Sequence, residues 1–338
     1  MAQPRRVHFE LHYDNKNISN DLQPYLTSFE YTDNLSGTAD TLSINLADRE
    51  RLWWAAWMPE LYASLKAKII RENWIDDGKT DALDCGYFEI NEISLTSPPN
   101  AVSIQGVSVP DASTIRAQRK YRAWEKTRLS VIAKDIAGQN GLKLLFDAED
   151  EDYDRIEQTE ETDLGFLMRL CDDAGIAVKL TGKQISLFDE AKYEEKPPAF
   201  SLNYATSKIK GFSAHVTTTG LYNRAVVNYH SPKGKKKIHH TFMPPNAPKT
   251  GRTLYINERV KDRRQAERKA KSALRQANKE QNTASITLMG DVNLVAGMTF
   301  MLNNFGAVSG KYIITQAVHA YSGNGYETSL ACRKVLGW

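Results

Sequence analysis

The hydrophobic positions of the first hundred residues alternate with polar ones, the period of half-buried strands. Val7, Phe9, Leu11 and Tyr13 interleave with His8, Glu10, His12 and Asp14, and Leu42, Ile44 and Leu46 interleave with Thr41, Ser43 and Asn45. Tyr87 to Leu95 and Val102 to Val109 repeat the pattern, separated by the turn residues Pro98-Pro99-Asn100. Asp48 interrupts it as an N-cap ahead of Arg49-Glu50-Arg51 and Trp53, Trp54 and Trp57, and Pro59 closes the segment. A short aromatic helix is expected there, plugging the end of a β-barrel.

From Thr127 the period lengthens to that of helices. Thr127 predicts a cap for a helix with Leu129, Ile132, Ala133 and Ile136 on one face, stopped by Gly141 and followed by a strand at Leu142 to Phe146. Thr162 predicts a second cap, with Leu164, Leu167, Leu170, Cys171 and Ala174 turned inward and Gly175 as the stop. A hairpin over Ile176 to Leu180 and Gln184 to Phe188 completes an α+β stretch. Past a linker at Glu194 to Pro198, strands return at Lys208 to Thr217, Arg224 to His230 and Ile238 to Phe242. A polar helix from Asp262 to about Lys279 has a thin inner face of Ala266, Ala270, Ala273, Leu274 and Ala277, and Asp262 with Gln265 has capping-box spacing. The last strands are Ser285 to Met289, Thr299 to Leu302, Lys311 to Ala320 and Tyr326 to Arg333. The expected class is α+β, mainly β.

Composition changes this picture mainly through charge. The 338 residues carry 44 Lys and Arg against 41 Asp and Glu, a net of +3. That balance sums unlike blocks. Asp147 to Asp163 holds ten acidic residues and one basic, Arg155, whereas Lys261 to Glu280 holds eight basic and three acidic. A third cluster, Lys233, Lys235, Lys236 and Lys237, lies in a turn flanked by His230, His239 and His240. Such blocks are solvated faces or partner surfaces. The second reading singles out Arg264, Arg268, Lys271, Arg275, Lys235, Lys236, Asp150 and Asp152 as interface residues. The acidic run and the basic helix are expected on different surfaces.

Three cysteines, Cys85, Cys171 and Cys332, leave no complete disulfide pairing and no C-x-x-C spacing, as befits a reducing cytoplasm, and Cys171 falls on a core face. The longest apolar run, Leu52 to Met58, is far shorter than the roughly 20 residues of a membrane helix, so no membrane insertion is expected. No nucleophile elbow, phosphate loop, dinucleotide loop or H-E-x-x-H motif occurs. His239 and His240 would point to opposite faces of a strand, poor geometry for one metal. Neither a cofactor nor a metal is expected. Paired carboxylates in the acidic run keep a glycosidase-type hydrolase open. The basic helix and lysine turn could neutralise phosphates, but no recognition helix or stacking motif accompanies them, so sequence-specific nucleic-acid binding is not expected.

The middle of the chain has a more specific pattern. A helix ending in glycine precedes Arg155, Gln158, Thr162-Asp163, Phe166-Leu167 and Arg169-Leu170, and the end carries Ala296-Gly297-Met298, Phe305-Gly306, Gly310-Lys311-Tyr312, Val318-His319 and Gly325-Tyr326. Together with Asp48-Arg49-Glu50, Trp57 and Pro59, these residues resemble the late control protein D family of contractile phage tails. The resemblance also extends to the N-terminal hub part of type VI secretion spike proteins. It implies a non-enzymatic baseplate hub with two β-barrel domains. Residues 1–120 would form the first barrel, completed by strands from 205–230; residues 121–200 would be an α+β insert, and residues 201–338 the second barrel. It further implies a homotrimer that joins a sixfold tail tube to a threefold spike, with tail tube, central spike, baseplate wedge and tape-measure proteins as partners. The location would be the virion tail baseplate, assembled in the bacterial host cytoplasm. Because the second β region reaches Trp338, the spike is expected to be a separate protein. A tail-associated peptidoglycan hydrolase is the alternative.

Overall fold

A computed structural model describes residues 4–108, 114–181, 183–230, 237–247 and 250–338. The chain opens with β1 (Arg6–Tyr13), β2 (Lys16–Asn17), the short helix α1 (Ser19–Leu22), β3 (Leu26–Asn34), β4 (Thr41–Ala47), β5 (Ser64–Glu72), β6 (Thr80–Thr96) and β7 (Ala101–Val107). The middle is built from α2 (Thr114–Ala117), β8 (Arg119–Arg128), α3 (Leu129–Gln139), β9 (Lys143–Asp147), β10 (Asp152–Thr162), α4 (Asp163–Ala174), β11 (Ala177–Thr181), β12 (Gln184–Phe188) and α5 (Glu190–Glu195). The last part comprises β13 (Phe200–Asn203), β14 (Ile209–Val216), β15 (Tyr222–His230), β16 (Lys237–Phe242), β17 (Arg252–Ile256), α6 (Arg263–Asn278), β18 (Asn282–Met289), β19 (Thr299–Asn303), β20 (Gly310–Ser322) and β21 (Gly325–Lys334).

The expected class, α+β and mainly β, holds, but the barrels do not. One thirteen-stranded sheet runs in the order β14, β18, β21, β20, β3, β4, β7, β6, β5, β1, β2, with β13 and β19 branching from β20. Its ends are open: among the described residues no ladder returns from β1 or β2 to β14, and closure is what a barrel requires. Nor do strands from 205–230 complete the first half. β14 pairs only with β18 at the far end, and β15 belongs to a separate sheet with β16 and β17. The two halves of the large sheet join where β3 lies antiparallel to β20, from Asn34 opposite Gln316 to Phe29 opposite Tyr321.

Strand alternation places the cores. Phe9 and Leu11, Leu42, Ile44 and Leu46, and Leu65, Ala67 and Ile69 fill the first with Phe29, Phe88 and Ile104, and Phe9 and Phe29 stack at 4.2 Å. Ile286, Phe300, Leu302, Ile314, Ala317 and Leu330 fill the second, on the β18 to β21 side. A third lies between α3, α4 and the sheet of β11, β12 and β9; a fourth lies between α6 and the sheet of β16, β15 and β17.

Asp48 does accept a backbone bond, from the Leu52 N–H at 2.7 Å, but the segment beyond it forms one 3-10 turn, Leu52–Trp54, instead of a helix. Arg51 in the left-handed region, φ 56°, breaks the helical path before it. Trp53 goes into the core beside Tyr25 and Trp57, and Trp54 and Trp57 stay on the surface. Thr127 is likewise not a cap, because β8 continues through it and α3 starts after Arg128.

Candidate functional site

The acidic run is partly a strand. β10 lies antiparallel to β8, whose sequence RKYRAWEKTR supplies Arg119, Lys120, Arg122, Lys126 and Arg128. Acidic side chains thus meet basic ones across the ribbon: Arg155 pairs with Glu125 at 3.1 Å, and Arg128 with Asp152 at 3.2 Å. Asp150 is used inside the chain. Its two oxygens accept from the Ser130 N–H at 3.0 Å and the Ser130 hydroxyl at 2.6 Å, making it the missing cap of α3.

Where the ribbon meets α4, Gln158 and Asp163 are buried together. The Arg122 guanidinium donates to Gln158 Oε1 at 2.8 and 2.9 Å and also pairs with Asp163. Asp163 further accepts from Lys120 at 2.7 Å, Asn140 at 3.0 Å and Gln158 at 3.1 Å. Burial works to raise its pKa, but these donors and the nearby Arg122 charge outweigh it and hold the carboxyl below its ordinary value. A carboxylate so saturated stays ionised and has no proton to give, so the motif residues act as a structural lock. Arg122 also lies 4.9 Å from the Trp124 ring, which stacks on Phe166 at 5.3 Å. Thr162 caps α4 through Gly165, and Gly175 ends it in the left-handed region, both as its sequence predicts.

Helix α6 does not stand apart from the acidic run, and the expectation of separate surfaces is corrected here. Asp262 caps it at Gln265, and Ala266, Ala270 and Leu274 are buried. Arg264 pairs with Glu149, and Arg268 pairs with Glu149 at 3.2 Å and with Glu151. Gln265 donates to Glu151 at 2.8 Å, and Lys261 reaches Asp154 at 3.5 Å. Farther along, Arg275 pairs with Glu194 at 2.8 Å, in a pocket where Arg333 contacts both Glu190 at 2.6 Å and Glu194 at 2.7 Å. The helix is an ionic spine tying the α+β middle to the last strands. Lys271 faces solvent, and Lys235 and Lys236 lie outside the described residues.

A second ionic contact holds the middle to the large sheet. Lys179 on β11 pairs with Asp33 and, at 3.4 Å, with Asp40, and it donates to the Asn34 carbonyl at 2.7 Å. Burial raises the Asp40 carboxyl to about 6 against the opposing pull of Lys179 and the Asn34 N–H. His319 is buried between Tyr326 Oη at 2.7 Å and the Leu294 carbonyl at 3.0 Å, and burial holds it down to about 4, hence neutral. All three cysteines are buried and free. His239 contacts Asn228 at 2.6 Å on the exposed face of β16. Among the described residues no group of three or more His, Cys, Asp or Glu is placed to hold a metal, and no helix is long and apolar enough to cross a membrane.

What the surface offers is contact area. Trp54, Trp57, Met58, Leu61 and Tyr62 are exposed on one loop between β4 and β5. Among the described residues β14 has a partner on one side only, and it is exposed at every position after Ile209. Its Phe212 and Ala214 sit opposite the core residues Ile286 and Ala284, so the apolar face of the sheet continues onto an uncovered edge. Sequence reasoning found the strand and missed this exposure. It missed the pairings of Lys120, Arg122, Glu149, Glu151, Glu190 and Arg333 too, because charge names no partner.

Residues 107–325 match the model of the phage tail baseplate hub (GPD) family. A probable baseplate hub protein of Escherichia phage 186 is 26% identical over 184 residues, 53% of this chain and 44% of that protein, so the match spans less than half of the relative's length. Two solved structures have the same fold over nearly all of both chains at 12% identity. They are a tail protein from Neisseria meningitidis MC58 (TM-score 0.73, covering 97% of this chain and 96% of that one) and a 43 kDa tail protein of prophage MuSo2 from Shewanella oneidensis (0.74, 98% and 99%). An Escherichia coli component of the type VI secretion system is similar at TM-score 0.54 and 13% identity, covering 98% of this chain and 76% of that one. With the family model spanning more than half of its length, the chain belongs to the phage tail baseplate hub family and is a structural, non-enzymatic protein of the tail baseplate, assembled in the host cell.

Proposed function

We propose that three copies of this chain form a ring joining a sixfold tail tube to a threefold central spike carried by a separate protein, with baseplate wedge and tape-measure proteins as further neighbours. The observation that carries this reading is the state of β14, an edge strand with free backbone groups on one side and solvent on both faces. Such edges invite pairing with another chain. A second free edge supports it. β5 covers β6 only from Thr80 to Glu89, and the remaining stretch, Glu92 to Thr96, is paired with β7 alone. Two unlike edges on one chain make a head-to-tail contact, which generates a ring when its rotation closes. The likeness to a type VI secretion component fits a hub placed between tube and spike.

In this reading the α+β stretch 121–200 stands between the two ring-forming parts. Lys271 and Asp152, both exposed, meet baseplate neighbours, as do Lys235 and Lys236. Native mass spectrometry of the chain mixed with its tail tube and spike proteins tests the proposal. Three copies per complex are expected, and Ala214→Pro, which removes an N–H facing the open side of β14, should abolish the ring. A dimeric or hexameric hub, or a ring indifferent to Ala214→Pro, would refute it.

A further inference from the structure

The loop between β4 and β5 and a cleft elsewhere on the same chain fit each other. Trp57, Met58, Leu61 and Tyr62 are 42%, 45%, 51% and 67% exposed, an apolar concentration that marks an interaction site. Glu60 stands among them, exposed and without an ion-pair partner among the described residues. The loop is held in shape by its backbone: the Glu60 N–H donates to Tyr13 Oη at 3.0 Å, and the Tyr62 N–H to the Ile90 carbonyl at 2.8 Å. A pre-shaped loop loses little freedom on docking.

The cleft lies between the β9–β12 sheet and the β13–β19 pair. It has a volume of about 420 Å³ and walls of Leu35, Leu145, Phe188, Tyr193 and Met298. Lys196 stands in its lining with the ammonium 3.7 Å from the centre of the Tyr193 ring and no carboxylate partner among the described residues. No residue of the Trp57–Tyr62 loop lines the cleft of its own chain. Loop and cleft are thus an apolar projection with one unpaired acid and an apolar recess with one unpaired base.

We propose that the Trp57–Tyr62 loop of one copy docks in the cleft beside Lys196 of a second copy, with Glu60 paired to Lys196. The inference rests on the head-to-tail ring. Because loop and cleft belong to different parts of the chain, each copy gives one and receives one, and a closed ring leaves none uncovered.

Sedimentation of the full chain with tail tube present compares wild type with Glu60→Lys, Lys196→Glu and the double reversal, and thermal melts verify folding. Each single reversal should weaken self-association about tenfold, and the double should recover most of it. Leu61→Ser should weaken association with no recovery by either reversal. A wild type that assembles while all variants assemble equally well removes the contact and leaves the ring standing. Reversals that disturb binding to another tail protein but not self-association overturn the choice of a second copy as occupant. A wild type that never self-associates refutes the ring and this contact together.

Discussion

Arg333 and Glu194 lie 2.7 Å apart with side chains 1% and 3% exposed, an almost wholly buried ion pair joining α5 to β21. Arg275 approaches the same carboxylate from α6 at 2.8 Å, so one acid holds two guanidiniums. Replacing Glu194 by Ala leaves Arg275 without its carboxylate and Arg333 with Glu190 alone. Loss of about 3–5 kcal/mol is expected in denaturant melts, more than for any surface pair in the chain. A loss under about 1 kcal/mol would mean that water reaches the site.

The contact between α6 and the acidic run predicts a stability effect where an interface alone would give none. Arg268→Glu would set a carboxylate against Glu149 and Glu151 and should cost about 1 kcal/mol in the isolated chain. Lys271→Glu should leave the melting temperature unchanged. Equal melting of both variants would argue against the pairing.

Asp163 and Asp40 should respond to acid in opposite directions. Asp163 has a folded pKa below its ordinary 3.8, so its contribution is present above about pH 4 and is lost as pH falls further. Asp163→Asn should therefore flatten the acid limb of the stability profile.

Asp40 is raised from 3.8 to about 6, so the folded chain keeps that proton longer than the unfolded one. Its share of stability is fully present below about pH 4 and declines as pH rises through 6. In Asp40→Asn that decline should vanish; urea midpoints taken from about pH 4 to 7 would reveal it, and an unchanged slope would discount the assignment.

Gly290 lies against the face of Tyr326, where an added Cβ would collide with the ring. Gly290→Ala must push away a side chain that also contacts His319, and a loss of about 1–3 kcal/mol is expected. Tyrosine fluorescence and melting should shift together. A variant as stable as wild type would show that the ring moves freely.

Local grammar was legible where one segment decides its own structure. Thr162 and Gly175 bound α4, Asp262 starts α6, and the alternation of Thr41 to Leu46 names its buried face, because caps and side-chain period act within a few residues. Pairing was not legible. Nothing near Asn34 announces Gln316 as its partner, and an open sheet has the same alternation as a barrel, so alternation does not decide closure. The charge blocks misled for the same reason. Asp150 and Arg268 look like free surface charge until Ser130 and Glu151 are placed beside them.

The ladder between β3 and β20 has a consequence for synthesis. β3 ends at Asn34 and its partner strand begins at Gly310, so the first core waits for residues near the far end of the chain. Contacts of such separation form late. A copy interrupted on the ribosome before β20 lacks the strand that binds its two halves together. The two halves of the large sheet are thus joined only after β20 has been made.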